Sequence, residues 1–135
     1  MYWTRYLPGS LHKAGMDGSR PTTLQTDLYL PRGLTIDFAA RRLYWTEYMK
    51  HRIQTSDMEG QDIRTAVQLP LGTGPQGLAL SSDRIYWGQV GDNKLQSSTT
   101  YGQDIQTLYT ETSDVRHVIL VPMWNQPING TDLCC

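Results

Sequence analysis

The sequence predicts an all-β chain, a partial β-propeller of about three four-stranded antiparallel blades, and three observations carry that expectation. The dipeptide Tyr-Trp recurs at Tyr2-Trp3, Tyr44-Trp45 and Tyr86-Trp87, a constant step of 42 residues. Other positions keep the same step: Leu11, Ile53 and Leu95; Ala14, Ser56 and Ser98; Gly18, Gly60 and Gly102; Thr23, Thr65 and Thr107. Within each unit apolar and polar residues alternate with the period of two that turns one strand face toward a core, and helical spacing is absent.

The elements follow in order. A second recurring signal, Pro-x-Gly-Leu, stands at Pro31-Arg32-Gly33-Leu34 and Pro75-Gln76-Gly77-Leu78, with a degenerate third copy from Val115. In the central unit Leu34, Ile36 and Phe38 share a face of a first strand, and Leu43 to Tyr48 form a second. Ile53 to Met58 make a third, closed by the turn signal Glu59-Gly60, and Ile63 to Leu69 make a fourth. Four short strands in one such unit describe a propeller blade, a sheet too small to hide both faces unless it stacks on the next. The chain starts on a second strand at Tyr2 and ends on a first strand near Val118 to Val121, so twelve strands are expected.

Composition narrows the function. The 135 residues hold 12 Lys+Arg against 13 Asp+Glu, with 39% apolar residues, as in one soluble domain. A near-neutral balance argues against nucleic acid or an anionic membrane surface as the main partner, since both demand a concentrated positive face. The longest apolar runs fall far short of the roughly 20 residues that span a bilayer, so no direct membrane insertion is expected. The start, Met1-Tyr2-Trp3-Thr4-Arg5, lacks the pattern of a secretory signal. The two cysteines, Cys134 and Cys135, are adjacent and close no useful loop, which leaves apolar burial as the source of stability.

Several motifs are set aside on context. Gly72-Thr73-Gly74-Pro75-Gln76-Gly77 has the spacing of a dinucleotide-binding loop, yet alternating Leu78 and Leu80 follow it where a helix is required. His12, His51 and His117 are too far apart and too poor in carboxylate or thiol neighbours to form a metal site. No local signature of a nucleophilic serine or cysteine is found, and no cofactor is implied. Tyr2, Trp3, Tyr44, Trp45, Tyr86 and Trp87, fixed inside strands, read as blade packing rather than a stacking platform for bases or sugars. Asn129-Gly130-Thr131 is a sequon, making Asn129 a candidate glycosylation site.

Tyr-Trp-Thr at positions 2 to 4 and 44 to 46, Tyr-Trp-Gly at 86 to 88, Met16-Asp17-Gly18, Met58-Glu59-Gly60 and the Pro-x-Gly-Leu elements together resemble the Tyr-Trp-Thr-Asp repeats (class B) of the low-density lipoprotein receptor family. The resemblance implies half of a six-bladed propeller, here residues 1-127, from the extracellular part of an endocytic or signalling receptor. It implies that residues 128-135 lead toward an epidermal-growth-factor-like module. In the family an Asp after Tyr-Trp-Thr ties neighbouring blades. This chain has Arg5, Glu47 and Gln89 there, so such bonding is not expected. Asp37 matches a first-strand Asp and is expected to make a structural hydrogen bond.

The function implied is non-catalytic protein binding by a receptor ectodomain, on the rim where second-to-third and fourth-to-first loops gather. Aromatic and Arg side chains supply most interface anchors, which selects Tyr6, Arg32, Tyr48, His51, Arg52 and Arg116. The alternatives are a calcium-dependent lactonase-like hydrolase, since six-bladed propellers include such enzymes, and a truncated, nonfunctional copy. Because in the family the C-terminal strand completes the N-terminal blade, two copies could also close one ring as a strand-swapped homodimer.

Overall fold

The computed structural model describes residues 1–121, and within them eleven β-strands and no helix are formed. β1 (Tyr2–Arg5), β2 (Gly9–Lys13) and β3 (Thr22–Leu28) make one sheet. A second sheet orders β4 (Pro31–Asp37), β5 (Arg42–Glu47), β6 (Arg52–Asp57) and β7 (Arg64–Gln68), and a third orders β8 (Pro75–Ser81), β9 (Arg84–Gln89), β10 (Lys94–Thr99) and β11 (Gln106–Thr110). Every pairing is antiparallel between chain neighbours, so each sheet is a meander, the plan of a propeller blade.

The Tyr-Trp pair lies on the second strand of each blade, and its two residues point to opposite faces. Leu43 and Trp45 turn toward the first blade and pack with Leu11, Leu24 and Leu28. Tyr44 turns the other way, where Ala66, Val67 and Leu69 meet Leu78, Ile85 and Trp87 of the third blade. The 42-residue step therefore repeats whole blade-to-blade seams. Trp45 and Trp87 are fully buried, whereas Trp3, with no blade in front of it among the described residues, remains 37% exposed.

The third-to-fourth turn repeats to the atom. Gly15, Asp57 and Thr99 donate their N–H to the carbonyls of Ser19, Gln61 and Gln103 at 2.8, 2.9 and 2.9 Å. The turn requires a left-handed residue, supplied by Gly18, Gly60 and Gly102 at φ 81, 77 and 74°. Gly60 and Gly102 also lie against the fourth strand of the preceding blade, at Leu24 and Ala66 respectively, and nothing stands within 4 Å of the corresponding place at Gly18.

An arginine at the start of the second strand clamps that turn. Arg42 donates to the Asp62 carboxylate and carbonyl, both at 2.8 Å, and Arg84 donates to Asp104 at 2.8 and 3.0 Å. The Arg42 bonds hold the Asp62 carboxyl below its usual 3.8, and Gln106 with Arg84 does the same for Asp104. Depressed carboxyl pKa values stabilise the fold above the unfolded value near 3.8 and lose that contribution as pH falls through the lowered folded values. Asp62→Asn is therefore expected to lose less stability than the wild type on acidification from about pH 5 to about pH 2, read from urea midpoints. Parallel acid profiles would show that the clamp does not contribute.

Two details differ from the sequence expectation, and one bond between blades lies outside it. β4 ends at Asp37, whose carboxylate accepts the Ala40 N–H at 2.9 Å, so Phe38 sits in the turn and is 80% exposed instead of sharing a face with Leu34 and Ile36. The twelfth strand near Val118 to Val121 is not formed. The segment from Val115 instead runs against the third blade, with the Gly77 N–H donating to the Arg116 carbonyl at 2.6 Å. The bond between blades leaves Thr46, one residue before Glu47, at a position the resemblance did not single out. Thr46 Oγ accepts the Gly33 N–H and donates to the Gln76 carbonyl, both at 2.8 Å. In the third blade Gly88 occupies that register and Val115 fills the space its side chain would take. Cys134, Cys135 and Asn129 lie outside the described residues.

Candidate functional site: a cationic–aromatic rim

Second-to-third and fourth-to-first loops are tied together on one rim by backbone hydrogen bonds. Tyr48 and Met49 donate to Leu30 and Tyr29 at 3.1 and 3.3 Å, and Val90 and Gly91 donate to Gly74 and Thr73 at 3.2 and 3.0 Å. His51 and Asn93, one repeat step apart, take left-handed backbone at φ 50 and 57°, which turns each second-to-third loop back into its blade.

On this rim three of the sequence-selected residues meet. The Arg32 guanidinium lies 4.6 Å from the Tyr6 ring centre and 5.2 Å from that of Tyr48, and it donates to the Tyr6 hydroxyl at 3.3 Å. Pro31, buried at the head of β4, fixes the backbone from which Arg32 projects, and Gly74 presses its backbone on the Tyr48 ring. His51 lies beside them, its ring nitrogens 3.5 and 3.4 Å from the amides of Gly72 and Gly74, distances at which any hydrogen bond is weak. Rings that lose no further freedom and an exposed planar cation make a surface suited to binding.

Arg52 and Arg116 are placed otherwise. Arg52 turns inward and donates to Glu47 Oε2 at 3.2 and 2.9 Å, while Glu47 Oε1 accepts the Trp45 indole N–H at 3.2 Å. Its role is to neutralise a fully buried carboxylate. In the third blade Gln89 does the corresponding work without charge, accepting the Trp87 N–H at 2.9 Å and donating to Asp92 at 2.6 Å. In the first blade the register holds Arg5, which offers no acceptor, and Trp3 stacks on His12 with ring centres 5.2 Å apart. The Arg116 side chain pairs locally with Asp114 at 2.6 Å.

Sequence reasoning missed a second pair on the same rim, Lys50 Nζ 4.3 Å from the Tyr29 ring centre. Both residues lie inside loops already singled out, and the preference for Arg over Lys passed over them. Exposed Leu7, Met49 and Leu71 add apolar surface from neighbouring rim loops. Elsewhere, a cavity of about 130 Å³ between the second and third blades is lined by Asp37, Arg42, Tyr44, Arg64 and Tyr101, among others. Burial pushes the Tyr44 phenol above its usual 10. Among the described residues no group of three His, Cys, Asp or Glu side chains could hold a metal ion, and no helix is long and apolar enough to cross a membrane.

No family model and no curated protein matches the chain. Solved structures do. A chain of the nidogen/laminin complex is 26% identical with a TM-score of 0.76, over 84% of this chain and 45% of that one. The calcium-binding protein regucalcin from Agrobacterium tumefaciens is 13% identical with a TM-score of 0.69, over 82% of this chain and 39% of its own. A gluconolactonase from Xanthomonas campestris is 17% identical with a TM-score of 0.65, over 81% and 37%. The fold is that of β-propellers, of both binding and enzymatic kinds. The chain spans less than half the length of each of these structures.

Proposed function

We propose that this chain is a non-catalytic, protein-binding portion of a Tyr-Trp-Thr-Asp-type propeller, residues 1-127, acting outside the cell as part of a receptor-like protein. The observation that carries the reading is Arg32 held between Tyr6 and Tyr48 on an exposed rim, beside Lys50 on Tyr29. Such clusters anchor protein interfaces, because the rings bury much area at little entropic cost and the Arg32 guanidinium is a weakly hydrated charge. The likeness to a chain of the nidogen/laminin complex, a protein–protein assembly by its description, supports it. The lactonase-like reading rests on neighbours whose identity is low enough to speak for the fold alone.

The test pairs binding with turnover. Proteins captured from conditioned medium are purified singly and titrated against the wild type and the Arg32→Ala/Tyr48→Ala variant. A rim anchor loses on the order of 2 kcal/mol or more, about thirtyfold in Kd. The fold itself should lose only about 1–2 kcal/mol, the worth of two exposed cation–π contacts. Unchanged affinity overturns this choice of rim. Calcium binding by calorimetry together with hydrolysis of a gluconolactone would overturn the non-catalytic reading itself.

A further inference from the structure

In the second and third blades the third-to-fourth turn lies against the fourth strand of the blade before it, Gly60 at Leu24 and Gly102 at Ala66, so the two seams can be compared position by position. Between the first and second blades the space beside that turn is filled. Leu24 and Met58 pack with the buried Leu43 and Trp45, the Tyr2 hydroxyl donates to the Met58 carbonyl at 3.1 Å, and Lys13 pairs with Glu59. One repeat step on, the positions of Leu24, Met58, Tyr2, Lys13 and Glu59 hold Ala66, Thr100, Tyr44, Thr55 and Tyr101. Two large apolar side chains have become small ones and the ion pair has gone. The cavity of about 130 Å³ opens at this place. Its walls belong to the two four-stranded blades, so it borders neither end of the chain, and it lies at the strand ends opposite the cationic–aromatic rim.

The wall carries one charge without a counter-ion. Asp37 is only 8% exposed; its Oδ1 accepts the Ala40 N–H at 2.9 Å, and among the described residues no other hydrogen bond or ion pair engages the carboxylate. The two arginines of the wall are directed elsewhere. Arg42 donates to Thr55 at 2.9 Å and to Asp62 at 2.8 Å, and Arg64 shares Asp62 at 3.7 Å. A carboxylate oxygen facing a confined space is best satisfied by a charged donor, whose hydrogen bond is roughly twice as strong as a neutral one. Beside it Tyr44 offers a phenol that burial keeps protonated well above neutral pH, so its oxygen accepts as well as donates. Ala40 and Ala66 add apolar wall, and the exposed Tyr101 ring at the mouth adds a face that attracts cations.

We infer that this cavity binds a small primary amine in its protonated form. The ammonium donates to the free Asp37 oxygen and to the Tyr44 hydroxyl, and a short alkyl chain lies along Ala40 and Ala66 toward the Tyr101 ring. Three N–H donors on one compact head match acceptors on several sides, which a quaternary ammonium cannot do. The space is well below the roughly 300–1,000 Å³ of drug-sized sites and admits a ligand of about five heavy atoms. A ligand of that size binds with a Kd of about 1 mM. The cavity lies apart from the rim, and its occupancy does not depend on what the rim binds.

The test is an amide-resolved NMR titration of the full chain with n-butylammonium chloride near neutral pH and at constant ionic strength. Butanol, butyrate and tetramethylammonium serve as controls for the alkyl chain, for the opposite charge and for charge without N–H donors. Saturable shifts clustered at Ala40, Ala66 and Thr100 are expected, with the controls binding about tenfold more weakly or worse. Asp37→Asn, which keeps an acceptor for the Ala40 N–H, should weaken the amine about tenfold or more. Ala66→Leu, which restores the side chain that fills the other seam, should abolish the saturable shifts in a folded protein, and Thr100→Met fills the same space from the turn should Ala66→Leu disturb the fold. No saturable response in the wild type overturns the inference. So do shifts scattered over exposed carboxylates such as Glu59 and Asp104, a control that binds as tightly as the amine, or a folded variant that binds as the wild type does.

Discussion

Trp45→Ala is expected to unfold the protein or bring it to the edge of unfolding, while Trp3→Ala, the same substitution one repeat earlier, is expected to be mild. Trp45 is fully buried between the first and second blades. Removing a buried indole leaves a cavity that flanking strands cannot close, at about 3–5 kcal/mol, a large share of the 5–15 kcal/mol that holds a typical domain. Trp3 is partly solvated and stacks on His12, so its truncation should cost about 1 kcal/mol. Urea melts of both variants measure the two losses side by side. Equal losses would contradict the difference in burial between the two side chains.

The second large effect belongs to Glu47. Its carboxylate is buried and joins the Trp45 N–H to the Arg52 guanidinium. Glu47→Ala strands a cation that keeps about a quarter of its side-chain exposure and an indole donor with none, and should cost about 3 kcal/mol. Glu47→Gln should cost only about 1 kcal/mol, because an amide still accepts from the indole, as Gln89 does from Trp87 in the next blade. Arg52→Ala added to Glu47→Ala should restore part of the loss, since it removes the orphaned charge. If Gln and Ala cost the same, the indole bond is not what the carboxylate contributes.

The repeat was legible in the sequence because it is written twice, in the Tyr-Trp pairs and in the alternation around them, and the strand positions follow from it. What the 42-residue step could not convey is the difference between equivalent positions. Trp3 and Trp45 read alike as letters but differ in whether a neighbouring blade among the described residues covers them. Phe38 continues the alternation of Leu34 and Ile36, yet the Asp37 side chain caps a turn and ends the strand first. For the rim, residue type and loop position were enough to select Tyr6, Arg32 and Tyr48. They were not enough to separate Arg32, which faces outward onto rings, from Arg52, whose nearest carboxylate lies inside. That distinction depends on Glu47, whose side chain reaches both the Trp45 indole and the Arg52 guanidinium.

The hydroxyl of Thr46 and the bare backbone of Gly88 stand at the same register but fasten their seams by different means, one through a side-chain oxygen and one through a segment lodged where that oxygen would be. The modules are therefore not interchangeable tiles. Duplication can have produced the array, but any later shuffling would set a threonine against Val115 or leave Gln76 facing a gap. The order of the units is thus held in place by the shape of their joints, even where their lettering has stayed nearly the same.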